Sequence, residues 1–396
     1  MTKKKELTFL FIITLLGIFV RYVGRDIISG DMETAFLPWF KVMKDGGGLA
    51  ALSKQIGDYG LLYQTIIALL TYIDINPLYL YKILSVFFDF LLAVSIAYFI
   101  YNCGLNTVFT GNDKEKSFCL TYAHVLLLPT VVMNSAFWGQ CDSIYTFFLL
   151  WSVWLLYKEK FQLSFFALGC SLAFKLQPIL MFPLFVYSYF SRKKFSIFNV
   201  FITACTFWLS GIVVYLQRQR AFDSVGIYSN QVVMFKRMWM NVPSIWAFIS
   251  DDYNRFHLLA IGLTFIILGI VLLMVITGKK KINSFKQMME LAIFVEWTCI
   301  IFLPAMHERY TYVMDLLLLM LAIVDGKYII HAFIAIVTSC MTYSAYLFTG
   351  KELSLGIIAV YLLFWLHYSY LIFSADPDDD QGLAEHEQHQ TITDAV

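Results

Sequence analysis

The chain is a succession of apolar runs, and these decide what it can fold into. Residues 7–23, 61–73, 78–101, 118–133, 143–157, 163–190, 197–216, 257–277, 288–304, 312–324, 328–348 and 353–373 are all dominated by hydrophobic side chains. A helix of about 20 apolar residues crosses a bilayer, because it satisfies its own backbone polar groups. The runs predict an all-α polytopic membrane protein of about eleven to thirteen crossings. Charged residues are 14% of the 396, whereas soluble domains carry about 25%. Aromatic residues reach 18%, with 37 Phe and 24 Tyr, more than a lipid-facing surface alone requires. Some of them should line interfaces or a groove.

Charge is unevenly spread. Residues 375–396 hold seven acids and no Lys or Arg; removing them from the net +1 leaves +8 on the rest. That segment reads as an acidic, disordered cytoplasmic tail, with His386 and His389 as ordinary polar residues. Residues 1–374 read as one transmembrane domain. The seven cysteines lie scattered with no C-x-x-C and read as small buried hydrophobes. The start "MTKKK" precedes the run 7–23 and "RYVGR" follows it. This pattern predicts a retained first span with a cytoplasmic amino terminus, not a cleaved signal.

Long polar connections interrupt the runs at 24–60 and 217–256. The first contains "SGDMETAFLPWFKVMKD" and "LAALSKQIGDYG", read as short amphipathic helices at the interface. The basic clusters "SRKK" (191–194) and "GKKK" (278–281) mark cytoplasmic loops. They place 24–60, 217–256 and "PAMHERY" (304–310) together outside. Alternation of full spans would put "WGQCD" (138–142) inside. A run 163–190 that enters and returns, broken at "FKLQP" (174–178), would put it outside with the others.

Charges at membrane depth are expensive and mark candidate sites. Asp31 and Glu33 follow the first run; a carboxylate in a partly dry cleft can act as a general base toward a hydroxyl. The alternative is a helix start, with Asp31 as N-cap and acids in the first turn. In "WGQCD", Gln140 and Asp142 can bond sugar hydroxyls and Trp138 can stack on a sugar ring; a cap and an interfacial Trp are the alternative. Lys175, deep in its run with Gln177 beside it, suits an anion, or else pairs with Asp142 or Asp89. Pro178 breaks the helix there. Arg309 can hold a phosphate by two parallel bonds, with His307 as a further donor and Tyr310 adjacent. Lys236 and Arg237 add cations on the same face. No G-x-G-x-x-G and no G-x-x-x-x-G-K-[ST] is present, so a soluble nucleotide-binding unit is not expected.

Taken in order, "SGDMETAFLPWF…GGGLAALSKQIGDYG", "LPTVVMNSAFWGQCDS", "LAFKLQPILMFPL" and "HERY" resemble the GT-C superfamily of integral-membrane glycosyltransferases. The likeness is greatest to bacterial proteins related to the fungal GPI-anchor mannosyltransferases. Similar pieces occur in eukaryotic dolichyl-phosphate-glucose-dependent transferases, with a G-D-x-E stretch in the first outer loop. The resemblance implies a GT-C-like bundle in a multi-pass plasma membrane protein of bacterial type. It implies an extracytoplasmic site, a polyprenyl-phosphate monosaccharide donor and a lipid-linked or surface glycan acceptor. It further implies inversion with Asp31 as catalytic base, no metal, no cofactor, and "WGQCD" near the site. Lys175, His307, Arg309, Lys236 and Arg237 would then face the departing phosphate. Trp138, Gln140 and Asp142 would orient a sugar. A polysaccharide polymerase using diphosphate-linked oligosaccharides, or a lipid or solute transporter, is the alternative.

Overall fold

A computed structural model describes residues 3–218 and 220–374; the acidic tail lies outside the described residues. Among those residues the chain is helical, with no strands and only two isolated bridges. The first half comprises α1 (Lys3–Val23), α2 (Leu37–Asp45), α3 (Leu61–Leu70), α4 (Pro77–Asn102), α5 (Lys114–Leu126), α6 (Pro129–Val132), α7 (Asp142–Tyr157) and α8 (Phe161–Phe174). There follow α9 (Phe182–Arg192), α10 (Val200–Leu209), α11 (Ile212–Arg218), α12 (Asp223–Met234) and α13 (Trp246–Ile249). The last part comprises α14 (Tyr253–Ile276), α15 (Phe285–Phe302), α16 (Tyr312–Val324), α17 (Ile329–Ser344) and α18 (Leu355–Ser374).

Five helices are long and apolar enough to cross a membrane, or seven if each of two bent pairs is one span. That is fewer than the apolar runs predict. The reason is that several runs form helices too short to span. α3 has 10 residues, which rise about 15 Å, half of a hydrocarbon core of about 30 Å. α7, α8 and α16 are also short. The run 118–133 bends by 48° between α5 and the segment that begins with α6. Such partial helices are tolerable only where protein covers their backbone. α15 is buried along its whole length and α16 along nearly all of it. By contrast α1 leaves Leu7, Phe11, Leu15 and Phe19 exposed, as a lipid-facing helix does.

The run 163–190 enters and returns. α8 ends at Phe174, Lys175 adopts an extended conformation, a single 3-10 turn follows, and α9 runs back. The far ends meet: Arg192 donates to Tyr157 O at 3.2 Å, and Lys194 pairs with Glu159 at 2.6 Å. The broken turn, the N-terminus of α7 and residues 304–311 therefore lie at one end of the bundle. That end also holds residues 24–60: Gly60 N–H donates to Phe174 O at 3.2 Å.

Candidate active site

Three π-helical turns build the site: Met32–Phe36, Met133–Trp138 and Ala345–Thr349. A π-turn adds one residue to a helical turn and re-aims the side chains beside it. These three bring Asp31, Trp138 and Tyr346 together. Trp138 stacks on Tyr346 with ring centroids 4.3 Å apart. Both donate to Asp31, Trp138 Nε1 to Oδ2 at 2.9 Å and Tyr346 Oη to Oδ1 at 2.6 Å. Gln140 Nε2 also donates to Oδ2, and Arg309 Nη1 reaches it at 3.4 Å. Asp31 makes no N-cap bond with its side chain. Ser29 Oγ accepts from Met32 N–H instead, at 3.2 Å, and donates to Trp138 O at 2.7 Å. The carboxylate is thus released from the helix start and turned inward. Glu33 lies exposed in the first turn, outside this cluster.

Burial pushes the Asp31 carboxyl upward, but the Arg309 charge and the hydrogen bonds of Tyr346, Trp138 and Gln140 together outweigh it. The group sits below its ordinary value and is anionic at neutral pH.

Behind Asp31 lies a dry ionic layer. Lys175 is 1% exposed and pairs with Asp142, also 1% exposed. Its ammonium also donates to Gln140 Oε1 at 3.3 Å and lies 4.9 Å from the centre of the Tyr59 ring. Asp142 accepts from Asn134 Nδ2 at 2.7 Å and has Arg309 Nε at 3.9 Å. Lys175 pairs with Asp142, one of the two partners expected for it. Asp89 serves elsewhere, holding Arg21 at 2.8 Å.

Trp138, Gln140 and Asp142, expected to orient a sugar, are buried and bonded to other side chains here. Trp138 and Gln140 are fully buried. Tyr346 covers one face of the Trp138 ring, and the Arg309 guanidinium carbon lies 5.7 Å from its centre. Gln140 is shared among Asp31, Lys175 and the Tyr59 hydroxyl at 2.8 Å. These residues bond to the charged groups of the cluster.

Two hollows open in front of the layer. One, of about 280 Å³, is mostly apolar and is lined by Leu176, Ile179, Leu180, Ile261, Leu303 and Met306. Its polar end is Lys175, Gln177, His307, Arg309 and Tyr310. The other, of about 420 Å³, contains Asp31, Trp39, Arg237, Glu308 and Tyr346. Asp58, Tyr59, Phe235, His307 and Arg309 line both. Arg309 is the residue with capacity to spare: its Nε is buried without a hydrogen-bond partner among the described residues, and its contact with Asp31 is long. A guanidinium has five N–H donors, and leaving one buried and unmet is unfavourable.

His307 is a neutral group here. Burial, and then the Arg309 charge, push its imidazole down to about 3, so it is neutral at working pH. Its ring lies edge-on to Phe235 at 4.5 Å. Lys236 is exposed and lines neither hollow. Arg237 borders the second hollow but is exposed and pairs with Asp251 at 2.7 Å.

Sequence reasoning missed Tyr346, Tyr59 and Asp58. Tyr346 stands near the end of an apolar run, and no sequence pattern announces a π-turn. Asp58 and Tyr59 lie in "GDYG", whose paired glycines were the available signal.

No protein-family model matches this chain, and no curated protein matches it. The fold and site define an α-helical multi-pass membrane protein with a buried ionic cluster at one end of the bundle.

Proposed function

We propose that the chain is a glycosyltransferase that moves one hexose, of the mannose or glucose type, from a polyprenyl-phosphate donor to a lipid-linked or surface glycan. The observation that carries this reading is Arg309, which lines both an apolar hollow and the Asp31 hollow. An apolar channel that ends in a guanidinium fits a lipid phosphate. A carboxylate across the same guanidinium fits an attacking hydroxyl.

The acceptor oxygen attacks the anomeric carbon as the bond from that carbon to the phosphate oxygen breaks. Polyprenyl phosphate leaves with the electron pair, and the hydroxyl proton passes to Asp31. Charge grows on the phosphate as the sugar becomes oxocarbenium-like, and the preorganised Arg309 stabilises it. Lys175, already paired, contributes field more than contact. Asp31 is a weak base at rest, and it takes the proton late, when the attacking oxygen has become acidic. Inversion requires Asp31 and the phosphate on opposite faces of the sugar carbon. By the positive-inside pattern the reaction lies on the extracytoplasmic face of the plasma membrane.

The test is transfer of labelled sugar from polyprenyl-phosphate glucose and mannose by the purified protein. Asp31→Asn should slow transfer about 10²- to 10⁴-fold while donor binding is kept. Wild-type-like turnover by that variant would remove Asp31 as the base. One sugar per event is expected; ladders of product would indicate a polymerase.

A further inference from the structure

A second carboxylate, Asp58, lines the same hollows, and one of its oxygens lacks the donors that Asp31 has on both. Asp58 is the residue that the apolar hollow, the Asp31 hollow and a third polar hollow of about 620 Å³ all share. Its Oδ1 is buried and makes no hydrogen bond among the described residues. Asp31, by contrast, has donors on both oxygens. Burial raises the Asp58 carboxyl, despite the Arg309 and Lys175 charges nearby.

The loop that presents Asp58 is held rigidly. Gly57 has φ +72°, and an added Cβ would stand 2.8 Å from the Trp39 ring. At Gly60 an added Cβ would stand 2.1 Å from Ala173 O, so this backbone sits directly on the end of α8. Gln231 donates to Asp58 O, and Gln55 Nε2 donates to Gly57 O at 2.5 Å. The backbone on both sides of the aspartate is therefore held in place. A buried acceptor without a donor is unfavourable, and a rigid loop keeps the chain from relieving it.

We propose that Asp58 is the hydroxyl-binding residue of a sugar-ring subsite at the junction of the three hollows. The inference rests on the glycosyl-transfer reading and adds to it which group reads the sugar. The transferred ring would occupy the hollows that open in front of Arg309, which would hold the phosphate, and Asp31, which would receive the proton. Asp58 lines the hollows on both sides of Arg309, which places it abreast of that ring. A carboxylate oxygen is an acceptor only, so it selects a ring hydroxyl and rejects a position where hydrogen replaces it.

The experiment measures kcat/KM for wild type, Asp58→Leu and Asp58→Ala. Donors are polyprenyl-phosphate glucose and mannose and their single-deoxy analogues. Wild type should lose about 10- to 100-fold with one particular deoxy donor, as expected for a hydrogen bond to a charged group. Both variants should be slowed on the parent sugar by a similar factor, with no further loss on that deoxy donor. Variants that discriminate like wild type, or a wild type indifferent to every deoxy donor, would overturn the assignment and leave glycosyl transfer standing. Failure of both variants to fold would also overturn it, since an oxygen without a bond is no folding element. A wild type that transfers no sugar from any donor would overturn the glycosyl-transfer reading and Asp58 with it.

Discussion

At the scale of single residues, the site separates charged groups by what surrounds them. Asp31 is held anionic by four donors, His307 is kept neutral by burial, and Lys175 is neutralised by Asp142. His307 gives a testable sign. Its folded value, about 3, lies below its ordinary 6.5, so the unfolded chain binds the extra proton first. This contribution to stability is fully present above pH 6.5 and is lost progressively as pH falls towards 3. Thermal unfolding in detergent should show the melting temperature falling across that window, and His307→Gln should flatten the fall. An unchanged slope in the variant would mean that His307 is not kept neutral.

At the scale of elements, the junctions between short helices carry the site. Lys175, in the break between α8 and α9, pairs with Asp142 at the start of α7. Removing one partner of a buried pair leaves an unpaired charge and costs about 3–5 kcal/mol. Lys175→Met should therefore lower stability by that order, measured by chemical or thermal denaturation. Adding Asp142→Leu should recover much of the loss, because no charge is then stranded. Gly139 is a second such junction. It has φ +79°, and an added Cβ would stand 2.1 Å from the Met32 methyl. Gly139→Ala should displace Met32 and its neighbour Asp31. Transfer should fall at least about 10-fold, more than the moderate strain of a left-handed alanine would do through stability alone. A variant that melts earlier yet turns over normally would show that this contact does not position Asp31.

At the scale of the whole molecule, basic residues gather at the end of the bundle away from the site. Lys158 donates to Asn102 O at 3.1 Å, and Arg192 to Ile282 O at 3.0 Å. Asp31, Arg309 and the 217–256 connection meet at the other end, where Ala305 N–H donates to Arg237 O at 3.1 Å. Single cysteines at Glu33 and Lys236, in a background without native cysteines, should be labelled by an impermeant thiol reagent from outside intact cells. One at Lys194 should be labelled only after the membrane is opened. Labelling of Glu33 and Lys194 from the same side would refute the orientation.

The sequence by itself determined the class. Apolar runs impose helices because bilayer or core leaves no other partner for the backbone. It also marked Asp31, Lys175 and Arg309 as costly charges and candidate site residues. It could not say how many runs span, because run length does not reveal where a helix breaks. Only the tertiary structure decided which charges neutralise each other. Lys175 lies 33 positions from Asp142, and Arg309 lies 278 from Asp31. Pairing at such range depends on helix packing and on three π-turns, neither of which any local pattern records. The same packing turned Trp138, Gln140 and Asp142 inward, and brought Asp58 and Tyr346, inconspicuous in sequence, to the face of the cavity.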